Sequence, residues 1–427
     1  MYLRGSKWSM LRKHKPFNPW RILVLLVLIG AAAYVNFIIV PHTQPLFVPT
    51  LTPTRAPESY VVDAEALATQ GKFGQAIEMY KQAINVDPGN PNNFIAMAKA
   101  EIALQQYKEA QTSAENALLL NNNNSTAHAI RGWALTLQDD YLLAENSLKK
   151  AIELDPNSGL AHAYYAELLI RINDAGQGTI GTIDKAIEES RLAYALGQDT
   201  MEAWRARGVV LQSTQNYAEA IQAFQQAVNL SPNSPDLHLL LGNAYRSVDP
   251  PELDKAVTEY TTANALNPAD PLPDTYIART YANIGEYPKA VQSAELAVKD
   301  APTDPYMWGN YGTMLYRNQQ LEEAASALQL AVRGGSAPTG EEVKGLPLDY
   351  GRIAEYYYIY GLALAKLNRC SDAVEVSQIL LQGVPDDETA VFNANAMVII
   401  CQGGDPNAVT PEADTTTSED ATETPVP

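Results

Sequence analysis

Apolar and small residues return at intervals of three and four along most of the chain, and they do so in paired blocks. Residues 201–234, MEAWRARGVVLQSTQNYAEAIQAFQQAVNLSPNS, show the pattern. Trp204, Gly208 and Leu211 mark one stripe, Tyr217, Ala220, Phe224 and Ala227 a second, and Pro232 closes the block. Each stripe predicts a helix with one buried face, and the polar residues between them predict a short turn. In a frame of 34 residues the blocks run 57–90, 91–124, 125–158, 159–200, 201–234, 235–270, 271–304 and 305–338 and, after an interruption, 354–387. Residues 388–404 predict one further helix as a cap. Ahead of the blocks lies a run without alternation, ILVLLVLIGAAAYVNFIIV over 22–40, which predicts a helix apolar on all sides.

The eighth position of each block is small: Ala64, Ala98, Gly132, Ala166, Gly208, Gly242, Ala278, Gly312 and Gly361. The twentieth is always alanine: Ala76, Ala110, Ala144, Ala186, Ala220, Ala256, Ala290, Ala324 and Ala373. Antiparallel helices cross closely only where side chains are small, and residues such as Trp204, Phe224, Tyr260, Trp308 and Leu328 fill the space beside the crossing. One pair cannot bury its apolar face alone, so pairs must stack. In this order of small and large positions the chain resembles the tetratricopeptide repeat (TPR) family, over residues 57–404. With the apolar run ahead of them, the repeats are similar in organisation to membrane-anchored TPR proteins of bacteria. The resemblance implies an all-α solenoid of about nine helix-turn-helix units plus a capping helix, wound as a right-handed superhelix whose first helices line a groove.

Three departures from the frame stand out. The block 159–200 carries extra residues around Asp174–Thr182, and the block 235–270 carries extra residues at Asp249-Pro250-Pro251. A Gly-rich break begins at Gly334, and residues 339–353 form an inter-repeat loop or a hinge.

Charge clarifies the ends. Residues 1–21 hold Arg4, Lys7, Arg12, Lys13, Lys15 and Arg21 and no acid. The run 22–40, at ~1.5 Å per residue, spans roughly 28 Å, one hydrocarbon core. The positive-inside rule then makes 1–21 cytoplasmic and the repeats extracytoplasmic, on a single-pass signal-anchor in the cell membrane. The alternative is secretion after cleavage near Ala33, since Ala31-Ala32-Ala33 offers a small-residue site. Residues 41–59, PHTQPLFVPTLTPTRAPES, form a Pro/Thr-rich spacer with polyproline character. Residues 405–427 are acidic and nearly devoid of large apolar side chains, and predict a disordered tail.

Composition excludes several functions. The chain has 427 residues, a net charge of −19, two cysteines and five histidines. Such an acidic balance opposes nucleic acid as a partner. Gly176-Gln177-Gly178-Thr179-Ile180-Gly181 matches a dinucleotide fingerprint, but a helix rather than a strand precedes it, so it reads as a loop. His128, His162 and His238 all occupy the fourth position of their blocks, where Phe94, Trp204 and Trp308 stand in others, so they read as packing residues rather than a metal set. No nucleophile–base or phosphate-binding motif is present in the sequence, and no enzyme activity, cofactor or metal is expected. Cys370 begins the second helix of the last block and Cys401 ends the cap. Successive helices alternate in direction, so the two lie at the same end of neighbouring helices and are expected to form a disulfide in an exported domain.

The resemblance implies a groove lined by the second, fifth, ninth, twelfth and thirteenth positions of the first helices. Here those include Lys99, Arg171, Arg205, Asn243, Arg246, Arg279, Tyr306, Tyr316, Arg317, Tyr358 and Lys366, a mostly basic and aromatic set in an acidic chain. Partners are therefore expected to be proteins or extended peptides, acidic segments included, bound through Arg205, Asn243, Arg246, Arg279, Tyr306, Tyr316, Arg317 and Tyr358. The equally simple reading is that these arginines pair with acids on neighbouring helices. The Lys–Asn–Asn–Lys–Arg clamp of chaperone-binding members is not reproduced. The expected function is a membrane-anchored scaffold. The alternatives are a glycan or cell-wall binder using the groove tyrosines, or a noncatalytic subunit of a membrane complex.

Overall fold

The computed structural model describes residues 18–39 and 56–404. The basic segment 1–21, apart from its last four residues, most of the spacer 41–59 and the acidic tail 405–427 lie outside the described residues. The chain divides into two units, residues 1–55 and 56–427.

In the first unit, α1 (Pro19–Tyr34) continues through one wider helical turn, Val35–Ile39. Asn18 caps it by accepting from the Trp20 amide, and Pro19 occupies the first turn, where no amide hydrogen is needed. The 20-residue stretch Pro19–Ile38 is long and apolar enough to cross a membrane, and none of it is buried against protein.

The second unit is an array of helix pairs. The first four are α2 (Pro57–Thr69) with α3 (Phe73–Val86), α4 (Pro91–Ala103) with α5 (Tyr107–Leu120), α6 (Ser125–Thr136) with α7 (Tyr141–Leu154), and α8 (Gly159–Asp174) with α9 (Thr182–Leu196). The next four are α10 (Met201–Ser213) with α11 (Tyr217–Leu230), α12 (Pro235–Ser247) with α13 (Leu253–Leu266), α14 (Pro271–Asn283) with α15 (Tyr287–Asp300), and α16 (Pro305–Arg317) with α17 (Leu321–Arg333). After a two-stranded antiparallel hairpin, β1 (Gly335–Ser336) with β2 (Glu342–Val343), come α18 (Arg352–Lys366), α19 (Cys370–Gly383) and the capping helix α20 (Glu388–Cys401).

Local chemistry sets the boundaries. Asn90, Asn124, Ser158, Thr200, Asp270, Asp304 and Asp387 each accept an amide hydrogen from the first turn of the helix that follows. Most first helices end in a left-handed residue: Gly71, Gln105, Asp139, Gln215, Gly285, Gln319 and Asn368 all have positive φ. The next amide then reaches back to a carbonyl of the helix, as Asn216 does to Leu211 at 2.8 Å and Gln320 to Leu315 at 3.0 Å. This closure satisfies carbonyls that the helix end would otherwise leave open.

The crossings are matched in size. A Cβ added to Gly208 would lie 2.5 Å from the Phe224 ring, one on Gly242 2.5 Å from Tyr260, one on Gly132 2.6 Å from Leu148 and one on Gly312 2.5 Å from Leu328. Where the eighth position is alanine, the residue facing that place is small instead: Ala114 for Ala98, Ser190 for Ala166, Ala294 for Ala278. The first repeat departs, with Tyr80 beside Ala64, and in the last repeat Gly361 admits Met397 of the cap. These residues are all buried, so the volume at each crossing is filled once, from one side or the other.

The break after α17 is held on both sides. The Tyr357 hydroxyl donates to the carbonyls of Leu346 at 2.8 Å and Val332 at 3.2 Å, and the Leu346 amide donates to Ala331 at 2.9 Å. Ala337, Val343 and Leu346 are buried against the last repeats. A free hinge would leave such groups to water; here the break is a fitted insertion.

Candidate functional site

First helices of successive pairs touch one another along the array, and second helices do so far less. The first helices therefore form the shorter, inner wall, and the expected groove residues fall on it.

The wall divides into two parts. In the N-terminal half it is closed. Trp133 and Tyr164 stack with ring centroids 4.9 Å apart at 7°, and the Arg205 guanidinium lies 4.5 Å from the Trp133 ring centre. Arg205 Nε donates to Glu167 Oε1 at 2.9 Å and Nη1 to Asp236 Oδ2 at 3.1 Å, while Nη2 has no partner. Burial opposes the charge, yet Glu167 and Asp236 hold the guanidinium above its ordinary pKa. Arg205, expected either on an open groove or paired with acids on neighbouring helices, takes the second arrangement: it is only 6% exposed and neutralised by two carboxylates. The physical reason is curvature, which brings α8, α10 and α12 close enough to enclose it.

The edges of the same half also meet. Gln105, in the turn after α4, donates through Nε2 to Asp270 Oδ2 at 2.8 Å. Asn233, after α11, donates to the carbonyl of Thr69 at 2.7 Å, where Gly71 leaves room for its side chain. Repeats one and two are thereby tied to repeats five and six. Burial raises the Asp270 carboxyl, but the Leu272 amide and Gln105 both support its ionised form.

The C-terminal half is different. Asn243 accepts from the Tyr260 hydroxyl at 2.7 Å, Arg246 stands 5.8 Å from the Tyr276 ring centre, and Arg279 Nε donates to buried Asn310 at 3.3 Å. The Tyr306 carbonyl accepts from Tyr356 at 3.4 Å. Further along, Tyr316 lies under the Lys366 ammonium at 4.6 Å, and Arg317 is exposed, 3.9 Å from Glu355. Tyr358 is half-buried near the same charges, and burial with Glu355 pushes its hydroxyl pKa well up. The structure therefore gathers Tyr316, Arg317, Tyr358 and Lys366 along α16 and α18, and keeps Arg205 apart from them.

Cys370 and Cys401 are bonded to each other, with Cα atoms 5.5 Å apart, and join α19 to α20. The histidines sit in separate repeats, and each donates from Nε2 to a carbonyl six residues earlier: His128 to Asn122 at 3.0 Å, His162 to Pro156 at 3.1 Å and His238 to Pro232 at 3.0 Å. Trp204 and Trp308 do the same through Nε1, to Gln198 and Pro302, both at 2.8 Å. In these five repeats the fourth position is thus a ring N–H that staples the first helix to the loop before it. Its shared occupancy by His and Trp was a visible signal of that need for a donor. Among the described residues no group of three or more His, Cys, Asp or Glu is arranged to hold a metal ion.

Comparison with known proteins agrees with this geometry. Residues 67–134, 125–158 and 277–340 match models described as tetratricopeptide repeat, and residues 213–247 one described as TPR repeat. The matched residues carry tetratricopeptide repeats, and domains of such repeats are generally non-catalytic scaffolds. It is 22% identical over 165 residues to the human protein O-mannosyl-transferase TMTC1, covering 38% of this chain and 18% of that protein. It is 21% identical over 193 residues to anaphase-promoting complex subunit 3 of Schizosaccharomyces pombe (45% and 28%). With Hsc70-interacting protein 1 of Drosophila melanogaster it shares 33% over 86 residues (20% and 23%). The chain thus spans less than a third of the length of each of these relatives. A solved structure of a human IFIT1 dimer with PPP-AAAA superposes with a TM-score of 0.54 at 14% identity, covering 84% of this chain and 92% of that one. That likeness concerns the fold alone.

Proposed function

We propose that the protein is a membrane-anchored TPR scaffold that binds protein partners, or extended segments of them, on the inner wall of its C-terminal repeats. The observation that carries this reading is the wall formed by α16 and α18, where exposed Arg317 and Lys366 flank Tyr316 and Tyr358. Cations beside rings suit an acidic, extended segment, because a carboxylate can pair with the guanidinium while its backbone lies along the phenols. Closure of the N-terminal half over Arg205 directs a partner to this end. The names of two relatives, an Hsc70-interacting protein and a subunit of the anaphase-promoting complex, are those of proteins that work through other proteins. The Lys366 ammonium covers the Tyr316 ring, which disfavours sugar stacking there.

The helix Pro19–Ile38 supports the anchor, and the six basic residues before residue 22 support a cytoplasmic N-terminus with the repeats outside. The test is cross-linking from intact membranes with the wild type and an Arg317→Glu/Lys366→Glu variant. Capture of an acidic partner should fall at least tenfold in the variant and weaken with salt in the wild type. Unchanged capture would overturn the groove assignment, and repeats released by a carbonate wash would overturn the anchor.

A further inference from the structure

A second surface lies on the outer side of the eighth repeat, away from the groove. Tyr311 and the largely buried Trp308 of α16, Glu322, Glu323 and Leu330 of α17 and Pro338 of the hairpin line an open pocket of about 430 Å³. The two rings meet edge to face, with centroids 6.3 Å apart at 62°. The indole is fixed because its N–H is spent on the Pro302 carbonyl. Glu322 and Glu323 are exposed and make no ion pair among the described residues. The charge of Glu323 reaches Tyr311: burial, Glu295 and Glu323 together raise its hydroxyl pKa. Lys299, whose field also reaches Tyr311, is already bonded to Glu295 at 2.9 Å. Pro338 belongs to the inserted hairpin, so the other repeats lack it.

We propose that this pocket receives an arginine side chain from a basic segment of a partner protein. A guanidinium is planar and stacks on aromatic faces, and it pairs with carboxylates through two donors at once. An anionic side chain would be repelled by Glu322 and Glu323, and an apolar one would gain nothing from them. The net charge of −19 draws basic segments toward the surface before contact. The pocket and the groove use different residues and take opposite charges, so the two proposals stand or fall separately.

The test uses the full chain in detergent, labelled with 5-fluorotryptophan, with the Trp308 resonance assigned through Trp308→Phe. The probes are acetyl-Gly-Arg-Gly-amide and its citrulline counterpart, which is nearly isosteric and neutral. The arginine peptide should shift the Trp308 resonance saturably, and the citrulline peptide should not. In a Glu322→Gln/Glu323→Gln variant the affinity should fall at least tenfold, while the Trp133 and Trp204 resonances stay in place to report an intact fold. An equal response to citrulline, an unchanged affinity in the variant, or no saturable shift at Trp308 would each overturn the proposal.

Discussion

Gln105 and Asp270, separated by 165 residues in sequence, are joined by a hydrogen bond of 2.8 Å. A solenoid ordinarily holds each repeat through its immediate neighbours alone. Here the second repeat grips the end of the sixth, and Asn233 makes the parallel tie from the fifth repeat to the first. A Gln105→Ala/Asn233→Ala variant, which removes two such bonds, should lose about 1–3 kcal/mol. More telling is its shape, since the first six repeats should open and the radius of gyration from solution scattering should rise. Amide exchange around Arg205 should quicken in step. An unchanged scattering curve would show that the curvature does not depend on these ties.

Gly208→Ala places a methyl group 2.5 Å from the Phe224 ring and should destabilise the array by about 1–3 kcal/mol, measured by urea unfolding. Adding Phe224→Leu should return part of that loss. Gly74→Ala is the control: it lies in a helix, and its nearest neighbour outside that helix is 3.9 Å away. It should be neutral or gain up to about 1 kcal/mol from helix propensity.

The histidine staples predict opposite titrations. His162 Nδ1 faces Glu189 at 2.6 Å and His238 Nδ1 faces Glu259 at 2.6 Å, while both Nε2 atoms face carbonyls. Two acceptors per ring favour the imidazolium. The Glu189 bond raises His162; for His238 burial works against the charge, but the Glu259 bond and the Pro232 carbonyl raise it nonetheless. A folded pKa above the unfolded one, about 6.5, means their contribution is full below that pH and is lost as pH climbs through the folded value. His128 has no partner at Nδ1, and burial lowers it, so its contribution falls as pH drops below about 6.5. Proton NMR should find His162 and His238 titrating above a free histidine and His128 below it. In His162→Gln/His238→Gln protein the advantage at mildly acid pH should disappear.

The Cys370–Cys401 link encloses a sequence separation of 31 residues. By loop entropy a closure of that size contributes about 3–4 kcal/mol. Cys370→Ser/Cys401→Ser should therefore leave α20 as the first helix to be cut in limited proteolysis, whereas the unreduced wild type should resist. Identical cleavage with and without reductant would show that packing of Met397 alone secures the cap.

Some of this architecture was legible in advance because it repeats. Small residues at the eighth and twentieth positions declare a close crossing wherever they occur, and the helix pairs fall where that rhythm puts them. The left-handed turns were harder to see, because Gln105, Asp139, Gln215, Gln319 and Asn368 stand where glycine would have been a signal. What lies between distant repeats left no trace at all. Arg205 is a different case: its place in the frame allowed either a groove cation or a partner of acids on neighbouring helices, and Glu167 and Asp236 on the adjacent first helices decide for the second. Gln105 and Asp270 share no motif, since each is an ordinary turn or capping residue in its own repeat. Arg317 and Tyr358 needed less, because adjacent first helices are the nearest neighbours the frame allows.

The fitted crossings also govern how such an array can change by recombination. A whole pair carries its own bulk and its own gap, so it can be copied, moved or lost as one piece. A cut through the turn instead makes a hybrid. If α10 were replaced by α14, Ala278 would meet Phe224 and the helices would be wedged apart; the reverse exchange would set Gly208 beside Ala294 and leave a hole. The unit of inheritance in this chain is therefore the couple, and the turn between its helices is the place where exchange is least tolerated.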